Sequence, residues 1–269
     1  MKRTIGALVI LITFFGLVLV DSGCKKKEPA PNLPPATTMS FNSANFTDTA
    51  GMSGGKSTYV NFFHSAINVG FWNLMLTVTL AVPVVSYGVA LDQEADYNNH
   101  DHTWTWDYNF TSWGVHHAEL TAKLDGDTVD WKMEIDNFEW YYGRSHTNGS
   151  GGYWMLNESS SQPTHLLRID WALNSAGVSS IKYTNVAPSS SSHFKNNGEY
   201  IWYGTVANAP EFDRFYNIYM KDDINPLQTN LTEIQWNNAD HHGHVKDPNK
   251  YSDSSWHCWD TNYIDVVCP

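Results

Sequence analysis

From His102 onward the chain alternates apolar and polar residues with a period of two, and nothing else in it limits the fold so strongly. Trp104, Trp106, Tyr108 and Phe110 alternate with Thr103, Thr105, Asp107, Asn109 and Thr111. Successive side chains of a strand point to opposite faces, so this pattern predicts a strand with one buried face. Ala118 to Leu124 repeat it up to Asp125-Gly126, a hairpin signal, and Val129, Trp131, Met133 and Ile135 repeat it again. Further strands are expected over 138–144, 152–157, 165–173, 178–186, 199–206, 212–220, 231–237 and 240–246, with no helix between them. The fold class is therefore mainly β: an antiparallel up-and-down meander of about ten strands, curled into a barrel or half-barrel that removes its own edges.

A second feature precedes the strands. Ala66 to Leu91 contain no charged side chain, long enough to span a bilayer by length alone. Asn68, Gly70, Asn73, Pro83 and Gly88 interrupt the run. The expectation is two helical pieces, Thr58–Ala81 and Val82–Ala95, with Pro83 in the first turn of the second and Ser57 or Thr58 as the first cap. A helix apolar all round must be covered, so this segment is expected inside or against the sheet, with Leu74, Leu76, Leu80 and Val84 touching Trp106, Leu120 and Trp131. The chain then divides into a leader (1–23), a flexible tether (24–56), the apolar helical segment (57–95) and a β-barrel (96–269) that forms one domain with the helices.

At the N-terminus, Lys2 and Arg3 precede an apolar run from Ile5 to Val20, and Ser22-Gly23 stand directly before Cys24. This order of basic, apolar and small residues reads as an export signal. It resembles a bacterial lipoprotein, with Asp21 where that pattern usually has an aliphatic residue. The resemblance implies signal removal before Cys24, acylation of Cys24, and residence at the outer membrane or cell surface. The proline-rich stretch after Cys24 suits an extended spacer. In an oxidising compartment Cys258 and Cys268 form an even pair and are expected as a disulfide.

The acidic balance, 28 Asp+Glu against 16 Lys+Arg and a formal charge of -12, leaves no basic field for nucleic acid. Ala50 to Ser57 fit a permissive phosphate-loop pattern, but no buried strand leads into them, so no nucleotide is expected. Asp130, Glu134 and Asp136 share one strand face and read as a solvated row. His242 and His244 would point the same way on a strand, as two metal ligands do, with His102 or His117 as a third. No cofactor is expected. The leading expectation is a binding protein, not an enzyme, holding an apolar or lipid-like molecule in an aromatic-lined barrel, with Trp104, Trp106, Tyr108 and Trp131 as the lining. A carbohydrate-binding surface protein and a histidine- or metal-dependent hydrolase are the alternatives.

Overall fold

The computed structural model describes residues 28–41, 43, 46, 58–175, 177–188, 197–206, 208–209, 211–222 and 227–269. Cys24, the export signal, the phosphate-loop-like stretch and the serine run at 189–192 lie outside the described residues.

The period-two pattern produces one antiparallel meander in which every strand pairs with its neighbours in sequence. Among the described residues it has 14 strands. They are β1 (Asp96–Asn98), β2 (Thr103–Thr111), β3 (Val115–Asp125), β4 (Thr128–Ile135), β5 (Phe138–His146), β6 (Gly151–Ser159), β7 (Gln162–Asn174), β8 (Gly177–Asn185), β9 (Tyr200–Thr205), β10 (Arg214–Lys221), β11 (Thr229–Trp236), β12 (Gly243–Lys246), β13 (His257–Trp259) and β14 (Asp265–Val266). The tight turns use the expected chemistry. Gly126 takes a φ of 64°, and Asp136 and Asn137 at the β4–β5 turn both adopt positive φ, as the two central residues of a type I′ hairpin must.

Alternate residues point into one core. Trp104, Trp106, Leu120, Trp131, Met133, Tyr141, Trp154, Ile169, Tyr183, Tyr216, Ile234 and Trp259 are all buried there. The outward positions carry charge instead, and much of it is paired: Arg144 bonds Asp130, Lys132 bonds Glu134, and Arg168 bonds Asp170. A barrel that crosses a membrane is apolar outside and polar within. This wall has the reverse pattern.

The sheet does not close, and a helix fills its seam. α1 (Val60–Ala90) packs against β2 on one side and against β12, β13 and β14 on the other. It is one continuous helix, not two pieces. Pro83 lies inside it, lacking a backbone donor and costing about 3 kcal/mol by itself. Packing of the following turn outweighs that cost. Ser86, Tyr87 and Ala90 are buried, Tyr87 Oη donates to the Pro34 carbonyl at 2.6 Å, and Tyr108 Oη donates to the Ser86 carbonyl at 2.6 Å.

The N-terminal end of α1 is capped from a distance. Tyr59 gives no side-chain cap, and Ser57 lies outside the described residues. The Asp265 carboxylate on β14 accepts from the Val60 and Asn61 amides, both at 2.9 Å, and the Asp265 amide donates to the Thr58 carbonyl at 2.7 Å. A carboxylate at a helix N-terminus satisfies orphan amides and complements the dipole. Cys258 and Cys268 are bonded, with Cα atoms 5.2 Å apart, and so tie the last strand to β13.

The described part of the 24–56 segment is not a free tether. Residues 28–41 run along the core: Leu33 and Phe41 pack on it, Met39 is buried, Trp104 Nε1 donates to the Glu28 carbonyl, and Trp154 Nε1 donates to Thr38 Oγ1. Buried Pro34 suits this course, because it has no backbone donor to leave unsatisfied there.

Candidate functional site

Helix α1 lies along the open seam of the sheet, its first turns against β12 to β14 and its last turns buried beside β2. Its inner face, with Phe62, Ala66, Val69, Trp72, Leu76 and Leu80, is buried. Its outer face is equally apolar and open to solvent: Leu74 is 65% and Val78 68% exposed. Leu74 therefore does not enter the core as the sequence led us to expect, whereas Leu76 and Leu80 do. The reason is geometric, since a helix lying in a seam turns only one of its faces to the core.

Between this helix and the rim lies a groove of about 620 Å³, lined by Leu74, Met75, Val78, Val82, Trp113, Trp140, Leu166 and Glu158 among others. That volume falls in the range of small-molecule sites, which are mostly apolar with a few polar groups. The rim is built from hairpin ends. Trp113 sits at the β2–β3 tip with a φ of 55° and its side chain almost wholly exposed. A bulky residue in the left-handed region is uncommon, so the tip is held by other contacts. His116 Nε2 bonds the Ser112 carbonyl at 2.9 Å and Nδ1 bonds Asp136 at 2.7 Å, while the His117 amide donates to the same carboxylate. Two acceptors ask for both ring protons. The Asp136 carboxylate, and then the Ser112 carbonyl, raise the His116 pKa, and His116 in turn lowers that of Asp136. Glu158 is the one carboxylate in the lining, and it accepts from Thr164 Oγ1. A smaller pocket of about 310 Å³ opens on the other flank of the helix, against Met39, Phe41, Leu76, Leu80 and Val84.

The residues singled out from sequence are placed elsewhere. Trp104, Trp106, Tyr108 and Trp131 are buried in the packed core and none lines the groove. Trp131 Nε1 donates to Ser145 Oγ at 2.9 Å, and burial raises the Tyr108 pKa. Buried side chains of the last turns of α1, with Thr38 and Met39, pack among these aromatics. No family model, curated protein or solved structure matches the chain.

The histidines do not converge. His242 bonds Asp240, whereas His244 is stacked between Trp256 (ring centroids 3.8 Å) and Phe212 (4.1 Å) and bonds Gln235. Burial, then His242 and Lys246, lower the His244 pKa to about 4. His102 bonds Tyr97, and His117 bonds Asp107. No group of three or more metal-ligating side chains occurs among the described residues.

A polar cluster outside the sequence expectations joins α1 to the sheet. His64 Nε2 lies 2.7 Å from Asp247, whose carboxylate also accepts from Thr232 Oγ1, Asn230 Nδ2 and the Asn249 and Lys250 amides. Burial pushes the Asp247 carboxyl up, but the hydrogen bonds from His64, Thr232, Asn230 and Lys250 outweigh it and hold it well below the usual carboxylate range. A histidine–carboxylate pair can orient a general base. Here the neighbouring Ser65 hydroxyl is committed to the Asn61 carbonyl. The cluster clasps α1 to β11 and to the short helix α2 (Pro248–Tyr251), for which Asp247 is the N-cap. The signal was Asp directly before Pro at a helix start.

Proposed function

We propose that the chain is an exported, lipid-anchored envelope protein that holds an uncharged, lipid-like molecule in the groove between α1 and the strand ends at Trp113 and Trp140. The observation that carries this reading is the groove itself: an open apolar site of about 620 Å³, continuous with an uncovered apolar helix face. Glu158 in the lining and the formal charge of -12 disfavour an anionic ligand. Export and the anchor rest on the Lys2 to Cys24 pattern, with the outer membrane or cell surface as the site. The anchor and the groove would stand at opposite ends of the barrel. Glu28, four residues after Cys24, bonds Tyr97 and Trp104 near the start of β2, whereas Trp113 follows its end. Nine strand residues separate these ends by about 30 Å.

Titration with the neutral fluorophore N-phenyl-1-naphthylamine tests the ligand reading. Wild-type protein should bind it, Val78→Asp at least tenfold more weakly, because the substitution sets an unpaired carboxylate in the groove. Equal binding by both would refute the site. Fatty-acid labelling tests the anchor: label should enter the wild type and not Cys24→Ala.

A second reading, glycan binding, has one observation in its favour. On the outer wall Tyr200 stacks on Tyr219 and Trp202 packs edge-on against Phe215, with Trp202 exposed. Loss of binding to a glycan array in Trp202→Ala would support it.

A further inference from the structure

We propose that the outer face of α1 is the contact surface for a second copy of this chain, paired antiparallel about a two-fold axis. The pairing goes beyond the ligand reading and does not rest on it.

The face is a broad, uncharged apolar surface. Phe63, Ile67, Phe71, Leu74 and Val78 are 52%, 55%, 50%, 65% and 68% exposed. Together they present roughly 550 Å², near the upper end for the largest patch on a monomer and about two-thirds of what one partner contributes to a standard interface. From Val60 to Ala90 the helix carries no Asp, Glu, Lys or Arg, so two such faces meet without charge repulsion between them.

The face is also self-complementary. A two-fold interface requires that residue i meet j while j meets i. Positions 63, 67, 74 and 78 are symmetric about the midpoint between Gly70 and Phe71. An antiparallel pair centred there sets Phe63 against Val78 of the partner subunit and Ile67 against Leu74 of the partner subunit. Gly70 has open space where a side chain would stand, so the two helices can approach closely at the crossing. The partner's Phe63 then lies beside Val78, on the open side of the groove.

A membrane surface is the weaker candidate for this face. Interfacial helices place Lys and Arg beside their apolar stripe, and this helix has none. The groove beside this face also lies at the far end of β2 from Glu28.

Cysteine cross-linking of the full-length protein in the cell envelope tests the pairing. Phe71→Cys, next to the two-fold axis, should form a disulfide-linked dimer on mild oxidation. Phe63→Cys and Val78→Cys should cross-link when co-expressed, at least fivefold more than either alone, and Ile67→Glu added to Phe71→Cys should abolish the dimer. Absence of a Phe71→Cys dimer would overturn the proposal. So would equal self-linking by Val78→Cys, which would indicate random collision, or shielding of Phe71→Cys from an aqueous maleimide without cross-linking, which would indicate a lipid cover. Naphthylamine binding is read separately, so a failed cross-link leaves the ligand reading to its own test.

Discussion

Replacing Asp265 with Ala removes the only side-chain cap of α1 among the described residues, from a position more than 200 residues away in sequence. Two hydrogen bonds of 2.9 Å are lost together with the negative charge at the positive end of the helix dipole. Loss of a capping side chain costs about 1 kcal/mol and loss of the dipole interaction a further 0.3–1 kcal/mol, so the variant should be destabilised by about 2 kcal/mol. For a chain of this size that is a fall in Tm of about 4–8 °C. Asp265→Asn, which keeps one acceptor but not the charge, should lose about half as much. Urea titration followed by tryptophan fluorescence reads both values, with the m-value as a check that the unfolded state is unchanged. The backbone bond from Asp265 to Thr58 and the Cys258–Cys268 bridge remain in both variants. If Asp265→Ala stays within about 0.5 kcal/mol of wild type, the seam is not held through this cap, and the role given to β14 is wrong.

Three further outcomes follow from the same geometry. Reducing Cys258–Cys268, or replacing both with Ser, should cost about 2–3 kcal/mol from loop closure and should increase amide exchange at Val60 and Asn61, because β14 carries their cap; unchanged exchange there would separate the bridge from the helix. His244 is held neutral in the folded state, with a pKa of about 4 against an ordinary 6.5. Its contribution is intact above pH 6.5 and is lost as the pH falls toward 4, by about 2–3 kcal/mol; His244→Gln should flatten that limb in urea titrations at stepped pH. Asp247 has a depressed pKa, so its contribution is present above about pH 4 and fades as the pH falls through the lowered folded value. Asp247→Asn should remove that acid sensitivity while lowering stability at pH 7; retention of the same acid slope would show that other carboxylates carry it.

The strands were legible in the sequence because burial on one face writes itself as a period of two. β2, β3 and β4 fall where the alternation of Trp104–Phe110, Ala118–Leu124 and Val129–Ile135 puts them. β1, β13 and β14 were not, since two or three residues are too few to show a period. The helix was legible as apolar but not as half-covered. Composition reports that Phe63, Ile67, Leu74 and Val78 dislike water, not whether anything stands over them. The lining was misread for a related reason: inward aromatics such as Trp106 and Trp131 look alike in a hollow barrel and a filled one. The segment 28–41 that lies against this core is proline-rich and reads as a spacer when its contacts with Trp104, Tyr87 and Trp154 are out of sight. Trp113 carried no periodic signal because it sits at a turn.

In the proposed reading apolar ligand meets the helix and the rim and does not enter the aromatic interior. Photo-cross-linking with a diazirine-bearing long-chain alcohol, followed by peptide mass analysis, tests it most directly. The label should fall on peptides containing Leu74 to Val82, Trp113 and Trp140. Label concentrated on the peptides of Trp104, Trp106, Tyr108 and Trp131, or displaced no better by unlabelled alcohol in wild type than in Val78→Asp, would contradict binding in the groove.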